Sequence, residues 1–189
     1  VIKFPGPTEG MKTKMEAMRK AIRKLPLASK VTCSGAVPGE EVGMFLSNHR
    51  AHDALKQNRL YEMLSCDPDY IDAYGLEVVA GRGFSEDYGD DVNKLVINET
   101  AARMLGYMNN DDAIGEGIAV ETIGEPMQVI GVVKDYHQQA LNKGYTGVML
   151  FHKDKIDWIP QRYISVMMKP GDPSDLVSQI REIWNNYFA

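Results

Sequence analysis

Charge is segregated along this chain. Residues 65 to 159 carry Asp and Glu well in excess of Lys and Arg, whereas the two flanks together are net basic, with Lys12, Lys14, Arg19, Lys20, Arg23 and Lys24 crowded onto one segment. Such asymmetry between parts of one chain reads as separate bodies. It predicts an α+β fold of two lobes, a discontinuous one made from residues 1–64 and 160–189 and an acidic, mixed small-sheet lobe of residues 65–159 inserted between them. The net charge is −5 and the pI about 5.4. An acidic molecule repels phosphate backbones, so no nucleic-acid partner is expected.

Periodicity fills in the lobes. Val1 to Phe4 reads as a short strand closed by Pro5-Gly6-Pro7, and Met11, Met15, Met18, Ile22 and Leu25 then recur at helical spacing until Pro26 stops the helix. Val31 to Val37 is β-rich and ends at Pro38-Gly39, which makes the opening a βαβ-type unit. Glu40 to Asn58 reads as a loop and Leu60 to Cys66 as a strand. At the other end, Ile164 to Met168 alternates like a half-buried strand. Asp172-Pro173 opens a helix with Leu176, Ile180, Ile183, Trp184 and Tyr187 on one face, ready to pack on the opening unit.

In the middle, Asp67-Pro68 is read as a helix start, with Asp67 as the capping oxygen, and a short helix runs to Gly75. Gly81-Arg82-Gly83 is a turn and Leu95 to Ile97 a strand. Asn98 caps a helix that ends at Leu105 before Gly106. Ile118–Val120 and Met127–Val133 are strands flanking the turn Gly124-Glu125-Pro126, a short helical or looped piece follows His137, and Val148–Phe151 is a strand.

Residues able to carry chemistry are sparse. His49 and His52 with Asp53 have a helical i, i+3 spacing but lack a third convincing ligand. Asp87, Asp90 and Asp91 miss the calcium-loop spacing and read as a solvated turn. A hydrolase would rest on His137, Asp135 and that acidic turn; a lone His at a strand end more often caps or packs. Nucleotide cradles and nucleophile elbows are missing from the sequence. No catalytic, cofactor-binding or metal-ligating residue is therefore assigned, and no cofactor is expected. Cys33 and Cys66 are read as small buried hydrophobes, with a disulfide between them as the alternative. The Met11, Met15 and Met18 stripe serves the core or a partner helix. Lysines on that helix could gain from anionic headgroups if a membrane lies near. Trp158, Tyr163 and Trp184 are candidates for an apolar wall in a ligand- or peptide-binding cleft.

Four stretches together resemble a known family. They are Asp67-Pro68-Asp69-Tyr70 through Tyr74-Gly75-Leu76 to Ala80-Gly81-Arg82-Gly83-Phe84-Ser85; Val96 to Arg103 with Leu105-Gly106; Ala113-Ile114-Gly115 with Gly117-Ile118; and Val129 to His137. With Val37-Pro38-Gly39, their order and spacing resemble the MacB-like periplasmic core domain of FtsX-type ABC transporter permeases. The resemblance implies an extracytoplasmic domain at the periplasmic face of the inner membrane, inserted between the first and second transmembrane helices of a four-helix permease. It implies a porter-like discontinuous lobe, a second permease copy, and an ATPase on the cytoplasmic side whose work is transmitted mechanically. Possible outer partners are a periplasmic adaptor or a lipoprotein. A start at Val1 without Met or leader fits excision from a longer chain, and Val1 and Ala189 are then expected on one side of the fold. Gly75, Gly81, Gly83, Gly106 and Gly115 are expected to serve turn geometry.

Overall fold

A computed structural model describes residues 1–6, 10–120, 122–156 and 161–188. Pro7, Trp158 and Ala189 lie outside the described residues. Among these residues, ten strands and four α-helices follow in the order β1 (Ile2–Lys3), α1 (Met11–Ile22), β2 (Ala28–Ser34), β3 (Phe45–Arg50), β4 (Arg59–Cys66), α2 (Tyr70–Ala73), β5 (Val78–Gly81), β6 (Lys94–Asn98), α3 (Glu99–Met104), β7 (Gly117–Val120), β8 (Met127–Val133), β9 (Val148–His152), β10 (Tyr163–Met168) and α4 (Pro173–Phe188). The α+β class read from the sequence is correct, and strands dominate.

The strand ladder closes on itself. β4 pairs with β3, β3 with β7, β7 with β8, β8 with β6, β6 with β9, and β9 returns parallel to β4. Six strands thus form a small barrel, and closure removes the free edges that an open sheet would leave unpaired. Alternation decides the filling. Tyr61 and Met63, Leu95 and Ile97, Met127 and Val129, and Met149 and Phe151 enter one buried cluster, while Leu64, Cys66, Val96, Val148 and Leu150 enter another. The first fills the barrel. The second lies on its outside beneath α2, Phe84 and Tyr136. Burial on both faces explains why these strands read as continuous apolar runs.

A three-stranded layer adjoins the barrel. β10 runs antiparallel between β1 and β2, so β1 and β2 are parallel with β10 inserted between them. Ile164 and Val166 face α1 and α4, joining Met15, Met18, Ile22, Val31 and Cys33 with Ile180, Ile183 and Trp184 in a third cluster. Both amphipathic helices thus cover one face of this layer, as their apolar stripes require.

Several local readings need correction. Residues 45–50, inside the stretch read as a loop, form β3. Its pattern is inverted, with buried Asn48 pointing inward and exposed Phe45 outward, so alternation of polarity gave no signal. Through β3 and β4, residues 45–66 are paired into the barrel. β5 was missed because four residues ending at Gly81 are too short for a pattern. Of the two alternatives for the piece after His137, helical or looped, residues 138–147 take the looped one. Asp67 does not cap α2 through its side chain; its backbone carbonyl accepts from Tyr70 N–H, which frees the carboxylate to reach elsewhere. Asn98 does cap α3, accepting from Ala101 N–H at 2.9 Å.

Two glycines have a steric necessity. A Cβ on Gly131 would stand 2.0 Å from the Arg82 carbonyl oxygen, and one on Gly81, at φ +65°, would stand 2.2 Å from that of Ile130. β5 can approach β8 only because neither residue has a side chain. Gly83, in contrast, has no positive φ, and a Cβ there would press the Ile71 side chain at 3.2 Å. We expect Gly131→Ala to destabilise the fold by about 3 kcal/mol. Gly124→Ala, whose Cβ would meet open space, should stay within about 0.5 kcal/mol. Equilibrium urea unfolding of the two variants checks the contrast.

Candidate functional site

The layer and the barrel meet along a narrow seam. β2 and β4 share one register pair, Ser34 with Cys66, extended by two backbone bonds, Gly35 N–H to Ser65 O at 2.7 Å and Asp67 N–H to Cys33 O at 3.0 Å. So little backbone pairing leaves the junction to side chains.

Asp67 follows directly after β4 and is fully buried. Its carboxylate accepts from the Cys33 amide at 2.9 Å and from the Thr32 hydroxyl, both on β2, and from Arg19 Nη1 of α1 at 3.0 Å. Arg19, 3% exposed, also donates to Asp69 at 3.2 Å and to both oxygens of Glu16 at 2.8 and 3.2 Å. Arg23 reaches Asp69 from the next turn of α1. One carboxylate thus ties a helix, a strand of the layer and the end of a barrel strand. Helical spacing explains the donor set, because Glu16, Arg19 and Arg23 lie three and four residues apart on one side of α1. Burial pushes the Asp67 carboxyl up, against the pull of Thr32, Cys33 N–H and Arg19. Burial also works against the Arg19 charge, but Glu16 and Asp67 outweigh it and hold the guanidinium above its ordinary value. The ion pair is formed, and the desolvation of its carboxylate is only partly offset.

A second pair fixes the loop after β5. Arg82 donates in bidentate fashion to Asp91 at 2.7 and 2.8 Å, and Ser85 N–H adds a bond at 2.9 Å. Asp91 is buried, so the acidic turn is not simply solvated as the sequence suggested. Asp87 and Asp90 do stay at the surface. Burial tends to raise the Asp91 carboxyl, but Arg82 and the Ser85 amide prevail and hold it below the usual carboxylate range.

The other sequence candidates are scattered. His49 lies on a strand rather than a helix, with Nδ1 2.7 Å from Asn58 Oδ1, and Asp53 accepts from the amides of Leu55 and Gln57. Asp135 is held by Thr100 and Arg103 of α3, while the His137 ring lies against Tyr145 at 4.7 Å. Asp135 therefore does not orient His137, and the two form no acid–base pair. Tyr163 donates to Glu40 at 2.6 Å from one face of β10, whereas Trp184 packs at the other face between Phe4 and Phe188. They do not build one wall. Cys33 and Cys66 are both buried and unbonded, and they belong to clusters on opposite sides of the seam, as small hydrophobes would. The Met stripe is core for Met15 and Met18, with Met11 partly buried beside them. Sequence reading missed the Arg19–Asp67 tie, whose only local signal was Arg19 on the apolar side of its helix.

Comparison with known proteins finds a family match over residues 6–183, to the MacB-like periplasmic core domain. Among solved structures, the periplasmic region of MacB from Actinobacillus actinomycetemcomitans superposes with a TM-score of 0.65 at 17% identity, covering 90% of this chain and 72% of that one. The extracellular domain of the ABC-type transporter YknZ from Gram-positive bacteria gives 0.62 at 19% identity, with 90% and 82% covered. At these identities the likeness is one of fold. No curated protein sequence matches the chain.

Removing Asp67 leaves Arg19 buried with weaker partners, so Asp67→Ala should cost about 3–5 kcal/mol. Half-exposed Asp69→Ala should cost under about 1 kcal/mol; chemical denaturation measures both. For Asp91 the native pKa lies below the unfolded one, so its contribution is present above about pH 4 and lost as pH falls through the native value. Asp91→Asn should flatten that acid limb of the stability–pH profile while leaving the profile above pH about 6 unchanged in slope.

Proposed function

This chain belongs to the family of MacB-like periplasmic core domains, and from that premise we propose that it is a mechanical coupler in an ABC transporter permease. The family consists of periplasmic domains of permeases, and among the described residues no helix is long and apolar enough to cross a membrane. In the proposed cycle, ATP hydrolysis by the cytoplasmic ATPase moves the permease's transmembrane helices, and these shift the domains of two permease copies between two arrangements. Work delivered outside the membrane exports or releases a substrate, with a periplasmic adaptor or lipoprotein as the receiving partner.

The observation that carries this reading is the arrangement at the seam. Phe4 and Phe188, near the two described ends, pack with ring centroids 5.4 Å apart, so force entering from neighbouring membrane helices would be received by one layer. The layer passes it to the barrel through the Arg19–Asp67 tie and the Ser34–Cys66 pair. We assign the two lobes on the same basis. The porter-like lobe holds β1, α1, β2, β10 and α4, the inserted lobe holds the barrel with its outer helices, and the boundary falls at the seam rather than after residue 64. Buried charge held by several directional bonds suits such a joint, because it resists sliding in a way that apolar contact alone does not.

The test uses the full-length permease with its ATPase in nanodiscs, Cys33 and Cys66 replaced by alanine, and a spin label at Met108→Cys, a site 91% exposed. Trapping the ATPase with a non-hydrolysable nucleotide should shift the label-to-label distance between the two copies by several ångströms. Asp67→Ala should blunt that shift while ATP hydrolysis continues. Identical distance distributions with and without nucleotide would overturn the coupling reading.

A further inference from the structure

β10 has one edge nearly empty. β2 pairs with it over its whole length, from Tyr163 with Ser34 to Met168 with Ala28, whereas β1 on the other edge supplies two pairs, Ile2 with Ile164 and Lys3 with Tyr163. Among the described residues no strand pairs with Ser165 to Met168 on the β1 side. The ladder shows which groups are left open there. Phe4 N–H donates to Arg162 O at 2.8 Å, so by alternation Ile164 and then Val166 turn their N–H and C=O toward that edge. An open edge of this kind is a template for another strand.

The helices point to the same gap. α1 packs on β2 and α4 packs beside α1, with Trp184 and Phe188 on Phe4, directly after β1. α4 therefore lies over the β1 side of the layer. It starts shortly after β10 ends and runs back toward Phe4; sixteen residues of helix extend about 24 Å, while two residues of strand cover about 7 Å. β1 can underlie only one end of α4. In keeping with that, Ile180 and Ile183 of α4, Val166 of β10 and Ile2 of β1 stay only partly buried, although their apolar side chains face one another across the layer.

We propose that the residues preceding Val1 in the permease continue β1 along the open edge of β10, beneath α4. Register fixes this occupant. The ladder that pairs Ile2 with Ile164 continues with Val1 opposite Ser165 and the residue before Val1 opposite Val166, where it meets the free N–H and C=O. The side chain of that residue falls on the face of Ile2 and Val166, so it is expected to be apolar. A second copy would have to start a ladder of its own, whereas the upstream residues are already held at one end. The inference rests on the permease reading and deepens it. A chain that arrives as a paired strand carries displacement into the layer without the slack of a free linker.

Two measurements on the full-length permease in nanodiscs, both without nucleotide, test it. Residue-resolved hydrogen exchange should find the Val166 amide at least about 100-fold slower than an unpaired amide. In a permease otherwise free of cysteine, Val1→Cys with Ser165→Cys should form a disulfide within one chain, because the two face each other at a non-hydrogen-bonded pair where side chains stand closest. Val1→Cys with Met167→Cys, one pair out of register on the same face, should not link. The proposal fails if Val166 exchanges like an unpaired amide, if the Val1–Ser165 disulfide does not form, or if the off-register pair links as readily. It also fails if the disulfide joins two chains, which would make a second copy the occupant of the edge. A permease whose domains stay still on nucleotide trapping would overturn the coupling reading and leave this one standing.

Discussion

β4 has to satisfy three neighbours at once, and the rest of the fold hangs on that requirement. Along one edge it pairs with β3 and then, at Cys66, with β2; along the other it pairs with β9. Pairing to β9 closes the barrel, and pairing to β2 attaches the layer that α1 and α4 cover. A strand with obligations on both edges cannot slip in register without exposing Tyr61 and Met63 and burying Glu62 and Leu64 in the wrong places. The barrel and the layer are thereby held at fixed positions on a single eight-residue element.

Where β4 ends, backbone pairing to the layer runs out and electrostatics takes over. Asp67 is the first residue past the strand, and it is there that a carboxylate is taken from water and surrounded by donors from Thr32, Cys33 and Arg19. An apolar contact could have filled the space at lower desolvation cost. A hydrogen-bonded ion pair instead defines which residues of α1, β2 and β4 must face one another. Such directionality is a reason for a joint to carry charge if it transmits displacement between two bodies.

Legibility from sequence followed the range of the forces involved. α1 and α4 were read from 3.6-residue stripes, and Asn98, Gly106 and Pro26 punctuated the chain where they stand, because helix periodicity and capping act within a few residues. β6, β8 and β9 were visible as apolar runs. β3 was hidden by inward Asn48 and outward Phe45, whose placement makes sense only inside a closed barrel, where Asn48 donates to the sulfurs of Met63 and Met149 at 3.3 and 3.2 Å. The candidate site was less legible still. Asp67 looked like a helix cap from its neighbours Pro68 and Tyr70, and it took Arg19, Thr32 and the Cys33 amide, 48, 35 and 34 residues away, to turn its side chain elsewhere.

The residues by themselves determined the class of secondary structure in most segments, the segregation of charge and, through the motifs from Asp67 to His137, the family. Those properties are local or compositional, and neither depends on which distant segments meet. Tertiary structure alone decided that the strands close into a barrel, that residues 45–66 belong to it, and that Asp67 and Asp91 are buried partners of arginines rather than a cap and a wet turn. Each of these turns on contacts between residues far apart in the chain, where the free energy of burial and pairing outweighs local preference.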